Sequence, residues 1–411
     1  MKTIKQVHCF VLISLMTMSL LQGCSSLPRN QPLPKHLEDQ VQMPGFTGIR
    51  AWGDAHSTVL EKSAKDSIRQ ELAANHGKLS TEVDALALSG GGQDGAFGAG
   101  LLCGWSKTGK RPKFKLVTGI STGALMAPFV FLGPAYDDKL RYVYTHTSDK
   151  DIYKPYGLFS ILLSFARITT IPSLADNKPL AQLMAKLIDH RVLKAIAAEH
   201  LKGRRLLIGT AEMYSQRLVI WDMGAIAASG SPNALSLFHK ILLASSALPA
   251  TFPPQMLKVV ANGKQYDEMH VDGGVETQVM LFENAIIPFS KQGRFLKGQR
   301  RIRRLYIIRN QSVHPEWENV KPQLKYIAVR AIDSLIKSQS PARSYRLYAY
   351  AKRDDFDYNL AYVPKTFHEQ QTTMFDPVYM NKLFALGYKL GQSGYQWDHY
   401  PYGFNPNPQT E

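Results

Sequence analysis

Short apolar runs alternate along this chain with longer amphipathic stretches. Val83–Leu88 is nearly all apolar and ends in Ser89 and a cluster of glycines, the pattern of a strand buried on both faces. Lys115–Ile120 repeats it, and further strands are predicted at Arg205–Thr210, Leu218–Trp221, Tyr266–Val271 and Leu305–Ile308. Between them the spacing predicts helices at Ala96–Lys107, Thr122–Leu132 and Ala234–Ala247. An earlier helix is expected over Ala55–Asn75, where Leu60, Ile68 and Leu72 recur among charged residues. Strands alternating with helices predict an α/β fold with a mostly parallel central sheet and helices on both faces. After Asn310 the pattern turns mainly helical, at Val320–Lys337 and Asp376–Leu390. No internal repeat is visible.

The first residues follow a different rule. Lys2 and Lys5 precede an apolar run from Val7 to Leu21, and Gly23 stands before Cys24, the order of a secretory signal. Leu21-Gln22-Gly23-Cys24 resembles the lipobox of bacterial lipoproteins. That resemblance implies acylation of Cys24 and a lipid anchor in the membrane, since several acyl chains give residence that one does not. Ser25 follows the cysteine where an Asp marks inner-membrane retention, so the resemblance favours the outer membrane. Four divisions are expected: a signal peptide over 1–23, a tether and N-terminal helical extension over 24–80, a catalytic core over 81–312, and a mainly helical C-terminal extension over 313–411.

Composition changes this picture little. The 411 residues are 45% hydrophobic and 20% charged, ordinary for a globular protein. Of three cysteines, Cys9 lies in the leader and Cys24 at its cleavage site, leaving Cys103 without a partner for an internal disulfide. It reads as a small apolar core residue. The net charge of +16 suits an anionic surface. It is spread along the chain, with its densest cluster at Lys297–Arg304, which reads as a solvated strand edge or a phosphate-headgroup contact. No nucleic-acid partner is expected. Gly157–Leu174 is unusually apolar, with Arg167 its only charge. It reads as a buried helix beside the site or a lipid-contacting flap, and is too interrupted for a secure membrane span.

Candidate chemistry gathers at two strand-to-helix junctions and one strand end. Gly119-Ile120-Ser121-Thr122-Gly123 places a serine on a sharp turn, its small neighbours leaving the hydroxyl exposed. Gly90, Gly91, Gly92 and Gly95 surround Gln93 and Asp94. Consecutive glycines let N–H groups converge on an anionic oxygen. A Walker lysine is absent, and with an elbow serine downstream an oxyanion hole is the better assignment than a phosphate or dinucleotide loop. No cofactor and no metal are expected. Asp272 follows a strand and precedes Gly273 and Gly274. Held close to Ser121, it would take the hydroxyl proton directly. None of the 12 histidines sits in a recognisable His-acid arrangement, and His270 reads as a strand residue. Ser245 and Ser246 lie at a helix end before prolines and lack the elbow, so neither is expected as the nucleophile.

These three motifs, in this order, resemble those of the patatin-like phospholipases. Ala244–Pro254 (ASSALPATFPP) and Trp221–Gly224 are similar to stretches of bacterial members, and the likeness spans roughly residues 45 to 390. The resemblance implies a three-layer patatin-like sandwich and a Ser121–Asp272 dyad without histidine. N–H groups of the Gly90–Gly92 segment would hold the oxyanion, and membrane phospholipid or lysophospholipid would be the substrate. A short-chain esterase, an acyltransferase and a lapsed lipid-binding lipoprotein are the rival expectations. In one place the sequence departs from the family, which often carries Arg or Lys where Gln93 and Asp94 stand.

Overall fold

The computed structural model describes residues 30–155, 172–281 and 301–404, apart from residues 316 and 318. The expected leader and Cys24, most of Gly157–Leu174 and the first half of Lys297–Arg304 lie outside the described residues.

Nine strands form one sheet: β1 (Arg50–Trp52), β2 (Glu82–Leu88), β3 (Leu116–Gly119), β4 (Arg205–Glu212), β5 (Arg217–Asp222), β6 (Gln255–Ala261), β7 (Lys264–Asp272), β8 (Ile302–Arg309) and β9 (Asp357–Tyr362). Their order is β1-β5-β4-β3-β2-β8-β9, and the five strands from β4 to β9 in that order run parallel. β5 and β7 are antiparallel to β4, and β6 forms a hairpin with β7.

The helices are α1 (Thr58–Ala74), α2 (Gly95–Lys107), α3 (Thr122–Leu132), α4 (Asp137–Thr145), α5 (Lys178–Leu187), α6 (His190–Leu201), α7 (Met223–Ala228), α8 (Ala234–Ser245), α9 (Leu324–Arg353) and α10 (Pro377–Gln392). Because strand side chains alternate between faces, each inner strand feeds two cores. Leu86, Leu88, Val117, Ile208 and Ile308 face a large core completed by α2, α3, α6, α8 and α10. Ala85, Ala87, Leu207, Leu305 and Ile307 face the opposite side, where Leu60 of α1 and Leu347 of α9 cover them. The result is the three-layer arrangement expected from the alternating pattern.

Three strands were missing from the sequence reading. β1 has three residues, too few for a periodic signal. β6 mixes buried and half-exposed positions and takes its hydrogen bonds from β7. β9 carries Asp357 and Asn359, both unfavourable in strands, yet it pairs in parallel with β8, Leu305 opposite Tyr358. The chain after residue 313 is therefore woven into the central sheet. α9 also continues past the expected end at Lys337 to Arg353, with Pro341 inside it.

The C-terminal helix is held against the helix that follows the glycine loop. A Cβ on Gly100 would stand 2.1 Å from Phe384 O, and one on Gly391 would stand 2.2 Å from Leu101 O. Only glycines let α2 and α10 approach this closely. Among the described residues no helix is long and apolar enough to cross a membrane.

Candidate active site

A difference in strand length brings the candidate residues together. β4 is twice as long as β3, which lies along only its first half, Gly119 opposite Ile208. β7 enters the vacated space antiparallel, with Asp272 opposite Thr210. The ends of β3 and β7 thus meet along one flank of β4, bringing Ser121 and Asp272 to the same place.

Ser121 sits between β3 and α3 at φ 54 and ψ −124. A non-glycine residue there carries strain on the order of 1–3 kcal/mol, which the surroundings must hold. A Cβ on Gly119 would lie 2.5 Å from Gly123 O, and one on Gly123 would lie 2.5 Å from Leu88 O. The two glycines flanking the turn therefore allow it to close against the end of β2. The Ser121 N–H donates to Ser245 Oγ at 3.1 Å, and that hydroxyl donates to Gly209 O at 2.7 Å. Two residues on, Ala247 O accepts the Asp272 N–H at 3.0 Å. The end of α8 is thus a bracket that holds the backbones of both candidate residues. Ser245 is not placed as a nucleophile, but the sequence reading missed this role. Its only signal there was membership of the Ala244–Pro254 stretch.

The Ser121 side chain lies close enough to the Asp272 carboxylate to lower its proton affinity, and Asp272 Oδ1 accepts the Gly274 N–H at 2.7 Å. Asp272 is 4% exposed. Burial pushes its carboxyl up to about 7, because the Ser121 side chain and the Gly274 N–H offset the lost hydration only in part and no charged group contributes. Such a carboxyl is poised to take and return a proton near neutral pH.

The glycine loop divides the four residues assigned to the oxyanion hole. The Gly90 N–H is taken by Gln278 O at 3.2 Å, and the Gly95 N–H by Gly92 O and Gln93 O. Neither is free to meet a ligand, contrary to the expectation for Gly90 and Gly95. The N–H groups of Gly91 and Gly92 have no protein partner among the described residues. Gly91 adopts φ 146 with Asn310 O 2.4 Å from where its Cβ would be. Asn310, at the end of β8, also donates to both the hydroxyl and the carbonyl of Ser89, each at 2.8 Å, fixing the start of the loop. Gly273 lies tight against Gly209 O, completing the floor.

Gln93 and Asp94 hold the C-terminal segment in place. Gln93 Oε1 accepts the Asp376 N–H at 2.9 Å, its amide nitrogen reaches Gln371, and Asp94 accepts from the Tyr379 hydroxyl at 2.8 Å. His270 is fully buried with both ring nitrogens engaged, Nδ1 2.9 Å from Thr210 Oγ1 and Nε2 3.1 Å from Glu268 Oε2. Among the described residues no histidine hydrogen-bonds Ser121 or Asp272. Arg301 and Arg303, from the basic cluster, are buried rather than solvated, bonding Glu71 and Asp354 O. Cys103 lies in the core, where burial pushes its thiol up to about 12. Among the described residues no cluster of His, Cys, Asp and Glu is suited to a metal ion.

The family description that matches residues 86–282 is patatin-like phospholipase. The chain carries a patatin-like domain. The match runs from β2 through the segment after β7, so it contains the glycine loop, the Ser121 elbow and Asp272 and stops before β8. Family members are lipid acyl hydrolases. Among solved structures, VipD from Legionella pneumophila aligns at 13% identity over 77% of this chain and 67% of its own, with a TM-score of 0.32. The assignment of the patatin-like domain does not rest on that alignment. No curated protein sequence matches the chain.

Proposed function

We propose that the chain is a serine acyl hydrolase of membrane phospholipid or lysophospholipid, working through a Ser121–Asp272 dyad. The observation that carries this reading is the elbow serine and a buried carboxyl brought together at the ends of β3 and β7, with burial raising the proton affinity of that carboxyl. Ser121 Oγ attacks the acyl carbonyl as its proton passes to Asp272. The N–H groups of Gly91 and Gly92 hold the developing oxyanion, aided by the positive end of α3. Asp272 returns the proton to the leaving alcohol, and water then releases the acyl group from Ser121.

Phospholipid as the substrate is supported by the patatin-like domain and by the basic charge of the chain. The lipobox-like run ending at Cys24 supports anchoring in the bacterial cell envelope, with the outer membrane favoured. Cys24→Ser is expected to release the protein from membranes washed at high salt, and an unchanged membrane fraction would remove that part of the reading.

Fatty-acid release from phospholipid vesicles by the purified protein, beside Ser121→Ala, tests the activity. Release by the native protein and none by the variant is expected. Turnover confined to a soluble short-chain ester would point to an esterase. A serine-reactive phosphonate that fails to label Ser121 would mean a lapsed site.

A further inference from the structure

Gln278 follows the Asp272-Gly273-Gly274 turn and is 5% exposed. Its surroundings place its side chain inside the site. The turn is closed by the Glu276 and Thr277 N–H groups on Gly273 O, at 3.1 and 2.9 Å. Thr277 is held further by Arg343 Nε at 2.7 Å and by its own bond to Val279 O at 2.7 Å. Gln278 O accepts the Gly90 N–H, so the backbone here is pinned on both sides.

The amide then lies across the floor of the site. Gln278 Oε1 and Ser121 Cβ are both 3.2 Å from where a Gly90 Cβ would stand, while Nε2 and Asp272 Oδ1 are 3.1 and 3.0 Å from where a Gly274 Cβ would stand. One end of the amide therefore borders the nucleophile and the other borders its candidate base. Yet Oε1 is buried and accepts no hydrogen bond. A buried acceptor left unpaired costs about 1–3 kcal/mol, so the fold carries this oxygen at a loss unless a bound molecule supplies a donor.

The donors that an acyl transfer brings to this place are hydroxyls. During deacylation the incoming water has two protons and needs two acceptors to aim its lone pair at the acyl carbon. Asp272 is one acceptor. Resting on the Ser121–Asp272 reading, we infer that Gln278 Oε1 is the second, a positioning group for the hydrolytic water. The water oxygen bonds to the acyl carbon and its transferred proton goes to Asp272, while the other hydrogen stays directed at Gln278. The carbon–Oγ bond then breaks, Oγ takes the proton back from Asp272, and the fatty acid departs. Oε1 is covered in this structure, so the amide has to turn for the water to meet it.

A chromogenic short-chain ester, p-nitrophenyl butyrate, separates acylation from deacylation. In Gln278→Met the first-turnover burst of nitrophenol is expected to keep its rate within about threefold, while steady turnover falls by about tenfold or more. Mass spectrometry should find a butyryl adduct accumulating on Ser121. Gln278→Asn, which retains an amide oxygen, is expected to recover part of the steady rate. Circular dichroism of both variants checks the fold. A burst that slows together with turnover and leaves no trapped adduct would overturn the role, as would unchanged kinetics in both variants. A native protein that gives neither burst nor turnover would overturn the dyad itself, and this role with it.

Discussion

β7 carries two buried carboxylates on one face, Glu268 and Asp272, with His270 between them. Burial raises the proton affinity of both, yet they end far apart. At Glu268 that rise is outweighed by the Arg50 guanidinium 2.5 Å away and by His270, which hold the carboxyl at about 2. At Asp272 the partners are a hydroxyl and a backbone N–H, neither charged, and burial prevails. The difference teaches that burial alone does not mark a reactive carboxylate. A buried charge with a cation beside it is part of the scaffold, and one without is costly to keep. Thr210 ties the two regions together, since it faces Asp272 across the ladder while its hydroxyl meets His270 at 2.9 Å and Trp221 Nε1 at 2.8 Å.

The comparison can be broken most sharply at the site itself. Asp272→Asn and Ser121→Ala are each expected to lower ester hydrolysis by about a thousandfold or more, and the double variant should be no worse, because a nucleophile and its base act as a unit. Steady-state assays on the three variants check this. Additive losses would separate the pair. At the other end of the strand, Arg50→Met leaves Glu268 buried without its cation and should cost about 3–5 kcal/mol in urea unfolding. The folded fraction should keep the native pH profile of hydrolysis.

A subtler contrast concerns pH. The folded Asp272 carboxyl binds its proton more tightly than the ordinary value of 3.8, up to about 7. Between those values the folded state holds more protons than the unfolded chain, so stability falls as pH rises, by on the order of 4 kcal/mol in all. Asp272→Asn lacks that loss. Its stability relative to the native protein should therefore improve between pH 4 and pH 8, as followed by thermal unfolding. Native activity should fall as pH drops through about 7, because the base is then protonated. The smallest effect is expected at His270→Gln. It should cost about 1–2 kcal/mol for an altered buried hydrogen-bond pair and leave hydrolysis within about threefold of native.

Much of the sheet was legible because buried parallel strands are written as apolar runs. β2, β3 and β4 were each found within two residues of their ends, and β8 within three. β9 was not, since its polar residues sit well only because β8 lies beside it. The same divide runs through the site. Ser121 was readable from its flanking glycines, and Asp272 from its strand end. Ser245 was not readable as a support for the elbow, because its partner Ser121 is distant in sequence.

The sequence by itself picked out the candidate groups: an elbow serine, a carboxylate before two glycines, and a glycine loop between strand and helix. Those are local matters of turn geometry and residue type. Only the tertiary structure decided which glycine N–H groups remain open and that Gln93 and Asp94 tie down the C-terminal segment. It alone set Asp272, rather than Glu268, near neutrality. A proton affinity depends on which charges lie within a few ångströms, and Arg50 reaches Glu268 across 218 positions of sequence.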